Sequence, residues 1–166
     1  LIELVEHGLG TAYLWEEIRL GDLLTFRGPA GVFLLPETLD QDLFLICTGT
    51  GIAPFRSMLR HIEQHAIPHK EIFLVFGCRS QQDLLYRDEL LALESRLSNF
   101  HYVPTLSRES WSGRQGYVHP AYMELAAGNP NAHFMLCGWK KMIDEARQRL
   151  QEKGYPKQQI HYELYG

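Results

Sequence analysis

Apolar and polar positions follow two patterns along this chain, and the change between them falls near residue 38. Residues 1–38 hold short apolar stretches, "LIELVE", "LLTFRG" and "VFLLP", separated by glycine and proline turns, which is how short strands read. Between them "TAYLWEEIR" has the spacing of a short helix. From "PETLDQD" onward, apolar runs of strand length alternate with segments of helical periodicity, the signature of βαβ units and a parallel sheet. That acidic, proline-containing stretch sets a domain boundary, giving 1–38 and 39–166.

Leu43 to Thr48 is apolar at successive positions, as expected of a central strand covered on both faces. Phe55, Met58, Leu59 and Ile62 then recur at helical spacing, and Pro54 suits a first helical turn, where its missing N–H has no partner to lose. A helix over about 53–65 follows. "EIFLVFG" predicts a second strand, and Ser80 with Asp83 has capping-type spacing before a helix in "LLYRDELLALESRL". "HYVPTL" predicts a third strand, "SRESWSGRQG" a loop, and a short helix follows near 119–127. "AHFMLCG" is the fourth strand; Met142, Ile143, Ala146 and Leu150 stripe the helix after it, Gly154 ends that helix, and "IHYEL" is the fifth strand. The expected fold is α/β, a five-stranded parallel sheet with helices on both faces, preceded by a smaller strand-rich piece.

Composition narrows the function. With 166 residues, 45% hydrophobic and 22% charged, the chain has enough apolar material for one full core plus an appendage. A net charge of -4 gives no basic field for phosphate backbones, which excludes nucleic acid as an expected partner. No apolar run approaches the roughly 20 residues that span a bilayer, and the first residues lack a signal-peptide pattern, so a cytoplasmic location without a membrane span is expected. Cys47, Cys78 and Cys137 are widely spaced and odd in number, as free thiols are, and no metal site is expected. The chain starts with Leu1 inside a strand-like pattern, as a piece cut from a longer protein does.

In parallel sheets ligands bind beyond the carboxyl ends of the strands, here in "TGTGIAP", "GCRSQQD", "SRESWSGRQG" and "CGWKKM". Gly49 and Gly51 leave room for a phosphate against backbone, and the helix after them offers N–H donors and a positive dipole end. Pro54 replaces the third glycine of the usual dinucleotide fingerprint, and Arg79 stands where an acidic residue would end the second strand. His61, His65 and His69 repeat every four residues but lack the adjacent glutamate of a zinc protease helix, so they read as a solvated face. Trp15 and Trp111 read as packing residues rather than ligand-stacking rings.

Five segments together, "GTGIAPFRSML", "VFGCRSQQDLLYRDEL", "TLSRE" with "GRQGYV", "MLCGWKKMIDEARQRL" and "YELYG", resemble the ferredoxin-NADP reductases and related oxidoreductases, in that family's order. Upstream, "GLGTAYLWEEIRLGDLLTFRGPAGVF" is similar to the last part of the family's flavin barrel. The resemblance implies an NAD(P)-binding domain behind a barrel fragment, and hydride transfer between nicotinamide and FAD. A small one-electron carrier such as ferredoxin, or a fused redox domain, is the implied partner. It implies a pyrophosphate seat at Thr48, Gly49, Thr50, Gly51 and Pro54, and an FAD contact at Thr11. Ser107 and Arg108 resemble the pair that holds the adenosine 2′-phosphate, with Arg114 and Tyr117 as further candidates, which favours NADP over NAD; Arg79, read from its place after the second strand alone, is either a phosphate contact or a solvated charge. Cys137, Gly138 and Met142 would lie beside the nicotinamide, Glu163 near the hydride path, and Tyr165 on the flavin ring. Cys137 is assigned to positioning rather than covalent chemistry. "WSGRQGYV" is similar also to the loop of NADH-dependent oxygenase reductases, Glu109 just before it is of the residue type that accepts from a ribose hydroxyl, and a nucleotide-binding module without redox chemistry stands as a third reading. A chain lacking the rest of the barrel is expected to hold FAD poorly and to be inactive alone.

Overall fold

The computed structural model describes residues 2, 4–28 and 30–165, with Tyr165 described through its backbone alone. Contacts divide the chain into two compact units, Leu1–Leu34 and Leu35–Gly166. The division lies four residues before the change in sequence pattern.

The first unit contains a short helix, α1 (Leu9–Ala12), which continues into a π-helical turn, Tyr13–Glu17. The Val5 N–H donates to Thr11 Oγ1 at 3.1 Å, and that hydroxyl lies within reach of the Gly8 and Val5 carbonyls. "LLTFRG" and "VFLLP" do not form strands; among the described residues of this unit there is no ladder. Among the described residues neither stretch lies beside a second strand, and backbone hydrogen bonds here include the local pairs Asp22 N–H to Arg19 O and Leu34 N–H to Val32 O. Strand-forming side chains are left in water, with Leu23, Phe26 and Val32 all exposed. "LIELVE" falls partly outside the described residues.

The second unit is a doubly wound parallel sheet. Its strands are β1 (Asp42–Thr48), β2 (Ile72–Cys78), β3 (Phe100–Leu106), β4 (Arg114–Gln115), β5 (Ala132–Trp139) and β6 (Ile160–Tyr165), in the spatial order β4-β3-β2-β1-β5-β6. The sheet therefore has six strands where the sequence predicts five. The extra one is two residues of the glycine-rich loop, paired with Thr105 and Leu106, too short to carry a period. Pro104 in β3 is tolerated because the outer side of the sheet has no strand until β4 begins beside Thr105.

Helices α2 (Ile52–His65) and α3 (Arg87–Glu94) follow β1 and β2, while α4 (Val118–Leu125) and α5 (Lys140–Glu152) precede and follow β5. Leu43 to Cys47 are buried, as a strand covered on both faces must be. Phe44, Ile46, Val75, Phe134 and Leu136 form one core with Val118, Ala121 and Tyr122 of α4 and Ile143, Ala146 and Leu150 of α5. Residues of the opposite phase, Leu43 and Leu45 among them, face α2, whose Phe55, Met58, Leu59 and Ile62 are buried. α3 starts later than its apolar pattern predicts. Ser80 and Asp83 do form a capping box, but on a separate turn, Gln81–Asp83, and Tyr86 then takes a left-handed conformation (φ +58°) that starts the helix proper at Arg87.

Candidate functional site

β1 sends its chain into α2 and β5 sends its chain into α5, and these helices lie on opposite faces of the sheet. Two adjacent strands whose connections diverge leave a crevice at their carboxyl ends. The residues on its walls are Thr48 to Gly51 on one side and Cys137 to Trp139 on the other.

The walls approach closely at two glycines. Gly51 is buried, and a β-carbon on it would lie 2.3 Å from the Cys137 carbonyl oxygen. Gly138 has φ +148°, and a β-carbon there would lie 2.4 Å from Thr48 Oγ1 and 3.2 Å from Met142 Cε. The Trp139 N–H donates to Thr48 Oγ1 across the gap at 3.5 Å. Thr48, Gly49, Thr50, Gly51, Cys137 and Gly138 are therefore gathered at this crevice, with Pro54 in the helix that opens from it. Met142 is close by but buried in the core beneath Gly138, so its side chain packs under the turn rather than lining it.

Gly49–Gly51 form a single 3-10 turn leading into α2, and Pro54 sits in the first turn of that fourteen-residue helix. The opening amides of a helix have no acceptor within it and point at the mouth, where the dipole is positive. This mouth can bind an anion such as a diphosphate. Sequence reasoning missed Trp139. It is 63% exposed, and its Nε1 lies 3.9 Å from where a β-carbon on Gly49 would be, so its ring overhangs the turn. The usable signal was a large aromatic placed where a strand ends and a helix begins.

Cys137 lies in register with Cys47 on one side and Glu163 on the other. Burial, with the Glu163 charge adding to it, pushes the Cys137 thiol up to about 12, and burial likewise raises Cys47. Both stay protonated near neutrality, so neither is a nucleophile there. Glu163 is exposed on the edge strand. The Tyr165 backbone pairs with Trp139, while the ring assigned to flavin stacking lies outside the described residues, as does Gly166.

A second group of residues gathers beyond β2, β3 and β4. Ser107 donates through both N–H and Oγ to the Cys78 carbonyl, at 3.0 and 3.1 Å, and the Arg108 N–H donates to Arg79 O at 2.9 Å. Arg79 and Arg108 are thereby neighbours, and both are exposed. Arg114 is half-buried and held by Glu124 through two bonds of 2.8 and 2.9 Å. Glu109 accepts from both the N–H and the side-chain amide of Gln81, which holds its carboxyl below the usual range. Tyr117 caps α4 and is exposed. Trp111 packs inside the loop, its Nε1–H donating to Arg114 O at 2.7 Å.

His61 and His65 are exposed on α2 with their rings 4.4 Å apart, and His69 bonds to the Lys70 carbonyl. Thr11 belongs to the first unit, where its hydroxyl is engaged by Val5 and Gly8. Among the described residues, no helix is long and apolar enough to cross a membrane.

Comparison with known proteins agrees with this geometry. A family model described as the oxidoreductase NAD-binding domain matches residues 45–148. The chain is 37% identical to ferredoxin–NADP reductase B of Sorangium cellulosum, over 97% of this chain and 69% of that protein. It is 33% identical to the xylene/toluene monooxygenase electron transfer component of Pseudomonas putida, over 96% of this chain and 46% of that one. Thus it spans about half the length of the second relative. Among solved structures, a ferredoxin NADP+ reductase from Neisseria gonorrhoeae with bound FAD and NADP superposes with a TM-score of 0.80 at 29% identity, over 97% of this chain and 71% of that one.

Proposed function

The chain belongs to the ferredoxin-NADP reductase-like family of FAD- and NAD(P)-binding oxidoreductases, and from that premise we propose that its crevice binds NAD(P)H for hydride transfer to a flavin. The observation that carries this is the close approach of the two walls, at Gly51 against the Cys137 carbonyl and at Gly138 against Thr48, which sets the Gly49–Gly51 turn and the α2 mouth at the carboxyl edge of β5. A diphosphate bridge is proposed to sit over the Gly49–Gly51 turn, and a side chain on Gly51 or Gly138 would force the walls that frame it apart.

When bound, NAD(P)H would supply a hydride and FAD would accept it and release the electrons singly to a carrier. The chain's own residues bind and orient. Amides of the Gly49–Gly51 turn hold the diphosphate, Cys137 and Gly138 give a small neutral floor beside the nicotinamide, and Trp139 covers the turn against water. Glu163, Tyr165 and Thr11 keep their proposed flavin-side roles; Thr11 must exchange its bonds to Val5 and Gly8 to serve one.

NADP is favoured over NAD because Arg79 and Arg108 offer two exposed cations at the strand ends, whereas Glu109, the acceptor a ribose hydroxyl would want, is occupied by Gln81. Ser107, Arg114 and Tyr117 complete the proposed 2′-phosphate site. Three free cysteines support a reducing compartment such as the cytoplasm. A ferredoxin-like protein or a fused redox domain is the proposed electron partner. The second reading, an NADH-dependent oxygenase reductase component, is favoured by the likeness to the xylene/toluene monooxygenase component.

Calorimetric titration with NADP+ and NAD+ tests the proposal. Heat with NADP+ and a weaker response to NAD+ is expected. The reverse order favours the oxygenase reductase reading, and no heat with either defeats both.

A further inference from the structure

Three arginines, Arg79, Arg108 and Arg114, stand at the carboxyl ends of β2, β3 and in β4, and they differ in one respect. Arg79 and Arg108 have exposed side chains for which the described residues provide no carboxylate, whereas Arg114 is gripped bidentately by Glu124. Glu124 is the penultimate residue of α4, so this pair ties the loop to the far end of the helix. The planar guanidinium fork that matches a carboxylate matches a phosphate equally well. The pair is bidentate but open to solvent, Glu124 above all, so screening limits its strength and a dianionic phosphate, with twice the charge, can compete for the cation.

We infer that Glu124 is an internal surrogate for the 2′-phosphate of NADPH, occupying Arg114 until that phosphate displaces it, and that Glu124 thereby sets how strongly the chain prefers NADPH over NADH. This rests on the nucleotide-binding reading above. Displacing Glu124 subtracts from the affinity of a nucleotide that carries the 2′-phosphate and leaves one without it untouched. Glu124 is thus a specificity-determining residue that need not touch the ligand.

The test is calorimetric titration of this chain, and of its Glu124→Gln, Glu124→Ala, Arg114→Gln and Arg114→Gln/Glu124→Gln variants, with 2′,5′-ADP and with 5′-AMP. Glu124 is largely exposed, so neither substitution there disturbs the core. Both Glu124 variants are expected to bind 2′,5′-ADP about two- to fivefold more tightly, with 5′-AMP unchanged. Arg114→Gln is expected to bind 2′,5′-ADP more weakly, and the double variant to match it, because Glu124 acts only through Arg114. If Arg114→Gln weakens 2′,5′-ADP but the Glu124 variants bind it no better, or worse, Glu124 supports Arg114 rather than competing for it and the inference falls alone. Unchanged 2′,5′-ADP binding in Arg114→Gln also overturns it while the crevice reading stands. Absence of binding by either nucleotide to the parent chain overturns both.

Discussion

Gly51 abuts Cys137 so closely that a β-carbon on the first would sit 2.3 Å from the carbonyl oxygen of the second. The obstacle is backbone, which cannot turn aside as a flexible side chain would. Gly51→Val should therefore push β1 and β5 apart at their carboxyl ends, abolish nucleotide binding and lower stability by about 1–3 kcal/mol. Calorimetry with NADP+ and a urea melt measure the two effects. Retention of full affinity would mean that the dinucleotide does not cross this point.

Arg108 is exposed and fastened through its backbone to Arg79, and among the described residues no carboxylate holds its guanidinium. Arg108→Gln should weaken 2′,5′-ADP about tenfold, the scale of one charge-assisted hydrogen bond, and leave 5′-AMP unaltered. Equal loss for both nucleotides would place Arg108 elsewhere on the ligand.

Cys137 titrates at about 12 in the folded chain, raised from 9.0 by burial first and by Glu163 second. Its folded value exceeds its unfolded one, so the stability tied to its neutral form is complete below pH 9 and is lost as pH rises from about 9 toward 12. Urea midpoints should fall across that window, and fall less steeply in Cys137→Ala. Parallel curves for the two proteins would contradict the burial assigned to this thiol.

His133 stacks on His161 with ring centres 4.6 Å apart, and burial, together with the charge on His161, lowers it to about 4. Here the folded value lies below the unfolded one. Stability is complete above pH 6.5 and is lost as pH falls from there toward 4, by about 1–2 kcal/mol after allowance for partial solvation. His133→Phe should flatten the acid limb of a thermal-melting series taken between pH 4 and 7.

Much of the second unit could be read from the order of its residues. Leu43–Cys47, apolar at every position, announced a strand covered on both sides, and Phe55, Met58, Leu59 and Ile62 announced the helix that covers one of them. The β4 strand was hidden because two residues carry no period, and its existence depends on Thr105 and Leu106 lying alongside. The late start of α3 was hidden for a related reason: the Ser80–Asp83 box caps whatever turn follows it, and propensity alone does not say that Tyr86 will turn left-handed. In the first unit, strand-like composition failed to give strands because a ladder requires a second chain segment that composition does not guarantee. At the site, the glycines were legible from spacing, whereas the claims of Glu124 on Arg114 and of Gln81 on Glu109 join residues 10 and 28 positions apart and appear only once the chain is folded.

The hydrogen bond from Trp139 to Thr48 joins positions 91 residues apart. Closing so long a segment is slow compared with forming a helix or a hairpin. A ribosome that has delivered β1, β2 and β3 has made half of the six-stranded sheet and only one wall of the crevice. Affinity for a dinucleotide thus arrives late in synthesis, when β5 docks against the strand that opened the domain, and ligand present in the cell can reward only molecules that have reached that stage.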